Sequence, residues 1–314
     1  MIQLDKILYS TDFGESAGEA LQYAAMLASE YGAELHLIHV LSPYNEGEVP
    51  PEEGFSRMEE SVESCDARLI RNTRQRINRK IERHRRHGLE MFKHIERGLS
   101  PYQEIVRVAR EQDMDLVVMG TYGRGPVAHF FFGSTAEQVV RLADCPVLTV
   151  RHHAPHLGGD FRGIKRILFP TDFSEYSKKA LPYAVSFASR YGAEVHVLHV
   201  FEQRVHPSFY ILDKSTVFDI DDSLKDRALD ALDEFVYQEL RQEVQFNCEV
   251  TSGTPFLEII NYARAREIDL IVIATHGLTG LEHMILGSTT ERVVRKAPCP
   301  VLSIKDPEHE FVHP

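Results

Sequence analysis

Ile7-Leu8-Tyr9-Ser10-Thr11-Asp12-Phe13 is a short apolar run that ends in a Thr-Asp pair, and this pattern occurs twice in the chain. It returns as Ile167-Leu168-Phe169-Pro170-Thr171-Asp172-Phe173, and the likeness continues as far as His39-Val40 and His199-Val200. About 19 of roughly 34 positions are identical at a constant offset of about 160, which is too many for chance. A repeat of this length has the size of a whole domain rather than of a solenoid unit. The chain therefore contains two repeats of one domain.

The composition is that of a soluble globular protein. The 314 residues are 43% hydrophobic and 26% charged, which is enough for two domains with separate cores. No apolar run reaches the roughly 18 residues of a membrane span, and no basic segment followed by an apolar run opens the sequence. We therefore expect a cytoplasmic protein without a membrane partner. The formal net charge of −12 disfavours nucleic acid as a partner, because phosphate neutralisation requires a basic face.

One segment departs from this acidic character. Ile70, Ile77 and Ile81 recur within it at near-helical spacing, which predicts an amphipathic helix with a solvated basic face. Contact of this face with an anion or a partner remains the alternative. The basic residues are Arg68, Arg71, Arg74, Arg76, Arg79, Lys80, Arg83, Arg85 and Arg86.

Each repeat alternates short apolar runs with helical patterns. Continuous apolar runs such as Leu116-Val117-Val118-Met119 are typical of parallel strands that are covered on both faces. With right-handed crossovers, the alternation predicts an α/β fold of two tandem, doubly wound, five-stranded parallel-sheet domains. We place the first domain at 1–151, a linker at 152–163, the second domain at 164–306 and a C-terminal tail at 307–314.

A glycine-rich loop follows the fourth predicted strand of each repeat. The first loop reads Gly120-Thr121-Tyr122-Gly123 and reaches Gly133-Ser134 after nine residues; the second reads Ala274-Thr275-His276-Gly277 and reaches Gly287-Ser288 after nine. Ligands of doubly wound sheets bind beyond the carboxyl ends of the strands, where this loop meets the Thr-Asp pair of the first strand. Glycine lets backbone N–H groups approach an anion, and the helix that follows offers unpaired N–H groups at the positive end of its dipole. The pattern therefore indicates an anion or nucleotide site in each repeat.

Each part of this pattern also has a purely structural interpretation. Ser134-x-x-Glu137 and Ser288-x-x-Glu291 satisfy the capping-box pattern, which stabilises a helix without any ligand. Asp12 and Asp172 are suitable caps for the helix that follows them. The glycines are also common turn residues. From the residues alone, both interpretations stay open.

Other chemistries find less support. The chain has no P-loop, no Rossmann glycine motif after a first strand and no nucleophile elbow. His36 and His39 lie three residues apart on a predicted strand and therefore face opposite sides, which prevents a shared metal. No Cys-x-x-Cys pair indicates a zinc or redox site. We predict neither catalytic residues nor a metal site.

These motifs resemble the universal stress protein family over nearly the whole chain, including its G-x2-G-x9-G-[ST] signature. In the ATP-binding branch of that family, the signature surrounds the ribose and phosphates, an aspartate after the first strand meets the adenine, and a valine at the end of the second strand contributes backbone contacts. The resemblance implies a nucleotide site in the first repeat at Asp12, Val40, Gly120, Gly123, Gly133, Ser134 and Thr135. It implies a second site at Asp172, Val200, Ala274, Gly277, Gly287, Ser288 and Thr289, although Ala274 replaces the first glycine of the signature.

The resemblance also implies a fold, an assembly and a function. The fold is that of adenine nucleotide α-hydrolase-like domains, which pair through their last strands, here Val147–Val150 and Val301–Ile304, into an internal pseudo-dimer. The function is that of a cytoplasmic stress-response regulator that binds ATP or a related adenine nucleotide, with or without Mg²⁺, in one or both domains. We expect two competent pockets of unequal affinity and, at most, slow ATP hydrolysis. The alternative is a nucleotide-independent stress scaffold that acts through protein–protein contacts, alone or as a homodimer.

Overall fold

The chain folds into two compact units. A computed structural model describes residues 2–42, 62–84, 89–121, 133–151, 163–202, 223–237, 244–277 and 286–305. The first unit is Gln3–Asp144, and the second unit is Cys145–Pro314 together with Met1–Ile2. Gly123, most of the predicted linker and the predicted tail lie outside the described residues.

The first unit alternates strands and helices, as predicted. Its four strands form a parallel sheet in the order β3-β2-β1-β4. Because β1 lies between β2 and β4, the strand order reverses beside β1, which makes the carboxyl ends of β1 and β4 the expected ligand position. The elements are β1 (Lys6–Ser10), α1 (Glu15–Tyr31), β2 (Glu34–Leu41), α2 (Val62–His84), β3 (Met91–Arg97), α3 (Pro101–Glu111), β4 (Leu116–Gly120) and α4 (Ser134–Leu142).

The second unit repeats this order and adds a strand from the first repeat. Its sheet has the order β5-β10-β9-β6-β7-β8 and is parallel except that β5 runs antiparallel to β10. The two last strands of the repeats therefore pair with each other, as the family resemblance implies. The elements are β5 (Val147–Val150), β6 (Arg166–Thr171), α5 (Glu175–Tyr191), β7 (Glu194–Glu202), α6 (Ser223–Tyr237), β8 (Phe246–Gly253), α7 (Pro255–Ala265), β9 (Leu270–Ala274), α8 (Ser288–Lys296) and β10 (Val301–Ile304).

The central strands carry the core of each unit. Ile7, Leu8 and Tyr9 on β1 are fully buried, and so are Ile167 and its neighbours on β6. Strands buried on both faces need continuous apolar sequence, which explains why these segments do not alternate polar and apolar residues. Among the described residues, each repeat contributes five strands, in agreement with the prediction.

Helix boundaries follow local chemistry. Gly32 and Gly192 end α1 and α5 in the left-handed conformation, at φ of 67° and 64°, where glycine has no steric cost. Pro101 and Pro255 begin α3 and α7, where the missing proline N–H costs no helical hydrogen bond. Among the described residues, no helix is both long enough and apolar enough to cross a membrane.

Candidate functional site

The loops that follow β6 and β9 come together in the second unit. Asp172 directly follows β6, and Gly277 lies three residues beyond the end of β9. A Cβ atom placed on Gly277 would collide with Oδ2 of the Asp172 carboxylate. Glycine avoids this collision because it has no Cβ. Two residues predicted from separate motifs are thus in contact at the carboxyl ends of two strands of one parallel sheet.

The first unit differs at the end of its fourth strand. A Cβ atom on Gly120 would lie 2.8 Å from the carbonyl carbon of Ser16 and 2.9 Å from the amide nitrogen of Ala17, both in the backbone of α1. Gly120 is therefore required for the close approach of β4 to α1, whatever else it contacts. At the corresponding place in the second unit, Ala274 is buried at 6% exposure, so that unit accommodates a methyl group there.

The ladder between the first and fourth strands also differs between the units. In the first unit, β1 and β4 are paired as far as Ser10 and Met119. In the second unit, the pairing of β6 with β9 ends at Leu168 and Ile271. Pro170 lies two residues further on and has no amide N–H to extend this ladder. The carboxyl ends of β6 and β9, beside Asp172, are consequently not paired with each other.

The two aspartates hold tight turns rather than cap the helices. Oδ1 of Asp12 accepts a hydrogen bond from the backbone N–H of Gly14 at 2.7 Å, and Oδ1 of Asp172 accepts one from Ser174 at 3.0 Å. Gly14 and Ser174 are themselves the N-cap residues of α1 and α5. The interpretation of the aspartates as helix caps is therefore wrong, because each carboxylate binds the amide of the cap residue one position before the helix.

The helices α4 and α8 begin at the predicted Gly-Ser-Thr turns. Gly133 and Gly287 are the N-cap residues, and their N–H groups donate to the carbonyls of Thr121 and Thr275 at 2.9 Å and 2.7 Å. Neither helix has a side-chain cap, so the capping-box interpretation of Ser134 and Ser288 is wrong: glycine occupies the cap position and each serine is the first helical residue.

The hydroxyl groups at these helix starts are placed alike in both units. Ser134 and Ser288 are exposed, and Thr135 and Thr289 are half-buried. No hydrogen bond of these four side chains is found among the described residues. Together with the first N–H groups of the helices, they offer donors at the positive end of a helix dipole, which is an arrangement that favours an anion.

The two predicted valines lie on the strand next to the first strand of each unit. Val40 is near the carboxyl end of β2 and is buried at 6% exposure, whereas Val200 on β7 is half-buried. Each valine follows a histidine whose ring contacts the Thr-Asp loop. The structure thus brings Val40 near the turn of Asp12, and Val200 near the turn of Asp172.

A model of the universal stress protein family matches residues 3–151 and 163–305, which is nearly the whole chain. The chain belongs to the universal stress protein family. It contains two tandem domains of this family, each with the mostly parallel α/β fold described above. Members of the family are known as stress-response proteins.

Known universal stress proteins match this one over one repeat or over both. A protein of Methanocaldococcus jannaschii is 36% identical over 146 residues, which cover 46% of this chain and 85% of the relative. A protein of Mycolicibacterium smegmatis is 26% identical over 306 residues and covers 95% of this chain and 96% of its own length. The crystal structure of a universal stress protein from Archaeoglobus fulgidus matches with a TM-score of 0.70 at 20% identity, with 98% of each chain covered, and so has the same fold.

Sequence reasoning missed one pair of residues in this universal stress protein. Nδ1 of His39 lies 2.7 Å from the carbonyl oxygen of Thr11, and Nδ1 of His199 lies 2.9 Å from that of Thr171. Because a carbonyl only accepts hydrogen bonds, Nδ1 carries the proton in both rings. Burial lowers the pKa of His199 below its ordinary value, which keeps this ring neutral.

The same histidines pack on the aromatic residue of the Thr-Asp loop. The ring centroids of Phe13 and His39 are 4.5 Å apart, and those of Phe173 and His199 are 4.6 Å apart. Both phenylalanines have positive φ, at 62° and 64°, an unusual conformation for a residue with a side chain. The histidine therefore fixes a strained turn beside the aspartate. The signal was present in the sequence, since both histidines are identical in the two repeats.

His276 distinguishes the second unit. It is buried at 6% exposure, and its Nδ1 lies 3.0 Å from Oγ1 of Thr275. Its counterpart in the first repeat, Tyr122, lies outside the described residues. Among the described residues, no group of three or more histidine, cysteine or acidic side chains has the geometry of a metal site.

Proposed function

We propose that this universal stress protein binds an adenine nucleotide, ATP or a close relative, at the carboxyl-end crevice of one or both units and acts as a regulator of the stress response. The contact between Gly277 and the Asp172 carboxylate is the observation that carries the proposal. This contact joins the loop after the first strand of the unit to the loop after its fourth strand. The carboxylate of Asp172, a hydrogen-bond acceptor, and the backbone of Gly277 then border the same crevice. An amino group of a base suits the carboxylate, because carboxylates only accept hydrogen bonds.

The phosphates are assigned to the start of α4 or α8. Three features support this assignment: a glycine cap, two consecutive hydroxyl side chains and the first N–H groups of a helix of nine residues. In the second unit the start of α8 is joined directly to the loop after β9, because the N–H of Gly287 donates a hydrogen bond to the carbonyl oxygen of Thr275. The residues present therefore fit an anionic group better than a neutral one.

The proposed ligand roles follow the family pattern. Asp12 and Asp172, with backbone contacts near Val40 and Val200, hold the base. Gly120 or Ala274, with Gly123 or Gly277, lies along the ribose. Gly133, Ser134 and Thr135, or Gly287, Ser288 and Thr289, hold the phosphates, with or without Mg²⁺. The protein acts through this binding rather than through rapid turnover.

Nucleotide released from the purified chain tests the proposal. Freshly purified protein is denatured, the supernatant is separated by chromatography, and adenine nucleotide is the expected product. The Tm of the nucleotide-free protein is then measured with ATP, with GTP as the matched control and with EDTA in a parallel series. At a ligand concentration about 100 times the Kd, binding adds about 2.7 kcal/mol to the free energy of unfolding, which raises Tm measurably.

Selective stabilisation by the adenine nucleotide would support the proposal, and loss of the effect with EDTA would assign a role to Mg²⁺. Absence of released nucleotide together with an unchanged Tm would contradict it. That result would favour the nucleotide-independent scaffold instead.

A further inference from the structure

The helices α2 and α6 occupy the same place in the two repeats but carry opposite charge. Each lies between the second and third strands of its repeat, and each packs against the third strand. Over residues 70–82, α2 has five basic side chains and one acidic side chain, Glu82. In α6 four acidic side chains outnumber Lys225 and Arg227. Two helices that descend from one ancestor have therefore diverged into opposite surfaces.

Three of the five basic side chains of α2 are exposed and face away from its unit, whereas the guanidinium of Arg76 lies over the ring of Phe13 within the unit, 4.3 Å from its centroid. Ile77 and Ile81 are buried at 0% and 9% exposure and anchor the opposite side of the helix. Arg71 and Arg79 are exposed and lie on one inclined line along the helix surface, since eight residues are about 2.2 helical turns, or about 12 Å of rise. Among the described residues neither has an ion pair or a hydrogen bond. Arg74 is also exposed and borders the same line.

The acidic side chains of α6 form a matching line. Asp226, Asp230 and Glu234 are spaced four residues apart, so they share one face and also span about 12 Å. All three are exposed, while Leu232 and the neighbouring apolar residues of the opposite face are buried. Among the described residues none of the three has an ion pair. Tyr237 continues this face and is 71% exposed.

Such a line of like charges is unfavourable in isolation. Carboxylates at positions i and i+4 of a helix repel each other, and α6 contains two such pairs in sequence. A partner with cations at the same axial spacing would remove this repulsion. Arg71 and Arg79 on α2 have that spacing, and an exposed aromatic ring such as Tyr237 suits an arginine guanidinium.

We propose that the basic face of α2, defined by Arg71, Arg74 and Arg79, docks on the acidic face of α6, defined by Asp226, Asp230 and Glu234, in a second molecule of this chain. A second molecule of this chain supplies a partner of matching charge and spacing for both faces, because each chain carries one face of each sign. The basic face is unusual in a protein of net charge −12, so it also steers the approach of an acidic surface. Because the charges are exposed, the association is strongest at low ionic strength.

Sedimentation of the full-length chain tests this docking. The wild type is expected to self-associate at about 50 mM salt and to dissociate at about 500 mM, where the screening length falls to a few ångströms. The double variant Arg71→Glu with Arg79→Glu makes both faces acidic, and the double variant Asp226→Arg with Glu234→Arg makes both faces basic. Each variant alone is expected to be monomeric, with an apparent Kd at least about tenfold weaker than that of the wild type.

A mixture of the two variants is the decisive arm. Every contact between them joins an acidic face to a basic face, so an equimolar mixture is expected to restore the association. Arg264→Glu, which reverses an exposed charge on α7, serves as the matched control and leaves the association unchanged. Unfolding midpoints confirm that each variant is folded, which is expected because all the substituted side chains are exposed.

A wild type that stays monomeric at low salt would overturn the proposal, and so would variants whose mixture fails to associate. Binding of a polyanion such as heparin to a monomeric wild type, lost in the Arg71→Glu and Arg79→Glu variant, would instead assign the basic face to another partner. Self-association that survives both charge reversals would also refute the docking.

Discussion

Gly277 leaves no room for a side chain because Oδ2 of Asp172 occupies the place where its Cβ would be. Asp172 is held there by the turn that follows β6, where its Oδ1 accepts from the N–H of Ser174 at 3.0 Å. The glycine and the aspartate are more than one hundred residues apart in sequence, roughly two-thirds of a domain length. Their contact makes one surface from the two loops.

This contact predicts an energetic coupling between the two residues. Gly277→Ala is expected to lower the free energy of unfolding by about 1 kcal/mol, because the new methyl group displaces the carboxylate from its turn. In an Asp172→Ala background the colliding oxygen is absent, and the same substitution should cost far less. A double-mutant cycle from urea denaturation measures the difference. Additive effects of the two substitutions would show that the residues do not constrain each other.

Nucleotide binding in the second unit should depend on the same glycine. Gly277→Val places a branched side chain between the two loops, and we expect it to remove one site per chain, or to weaken that site at least about tenfold. Titration calorimetry with ATP measures stoichiometry and affinity together. Gly18→Ala is the matched control, because a Cβ at Gly18 meets nothing within 4 Å. If Gly277→Val binds like the wild type, the loop has been assigned wrongly.

Exchanging glycine and alanine at the equivalent positions Gly120 and Ala274 is expected to cost different amounts of stability. Gly120→Ala is expected to destabilise the protein by about 1–3 kcal/mol, because its Cβ would lie 2.8 Å from the backbone of Ser16, which cannot rotate away. Ala274→Gly should cost only about 0.5–1 kcal/mol, mainly through backbone entropy and lost burial. Denaturant midpoints of the two variants provide the comparison. Equal costs would mean that β4 and α1 relax easily around the added methyl group.

The sequence predicted the strands and the position of the crevice more reliably than it predicted the structural roles of individual residues. Continuous apolar runs have few alternatives to buried parallel strands, so β1, β4, β6 and β9 lie where such runs predicted strands. The convergence of Asp172 with Gly277 followed from the rule that ligand loops meet at carboxyl ends of strands. Both inferences depend on patterns that extend over many residues.

Roles that depend on one atomic distance could not be predicted in this way. The Ser-x-x-Glu motif predicts Ser134 as the N-cap of α4, but Gly133 takes that position and Ser134 is the first helical residue. The motif alone does not reveal this shift by one residue. Gly120 has a packing function that depends on how closely α1 approaches β4. His39 donates a hydrogen bond to the carbonyl of Thr11, in the loop after the neighbouring strand β1. The periodicity of the sequence places His39 on one face of β2 but does not reveal this partner. The identity of His39 and His199 between the repeats was a signal that the sequence contained, but it does not indicate the partner of either ring.

The neutral state of His199 predicts how stability depends on pH. Burial lowers the folded-state pKa of this ring below the ordinary value of about 6.5, while its Nδ1–H donates to Thr171 in the neutral form. Near and below pH 6.5 the unfolded chain therefore binds more protons at this position than the folded chain does. The contribution of His199 to stability is complete above that pH and is lost progressively as the pH falls through the folded-state pKa.

A comparison with His199→Gln isolates this contribution from those of the other histidines. We expect the wild type to be more stable by about 1 kcal/mol above pH 7, the usual value of one buried hydrogen bond, and this advantage to shrink as the pH is lowered towards 5. Urea denaturation at several pH values, in a buffer of constant ionic strength, measures it. An advantage that stays constant across this range would show that folding leaves the pKa of this ring unchanged, and one that grows at acidic pH would show that the folded protein holds the ring protonated.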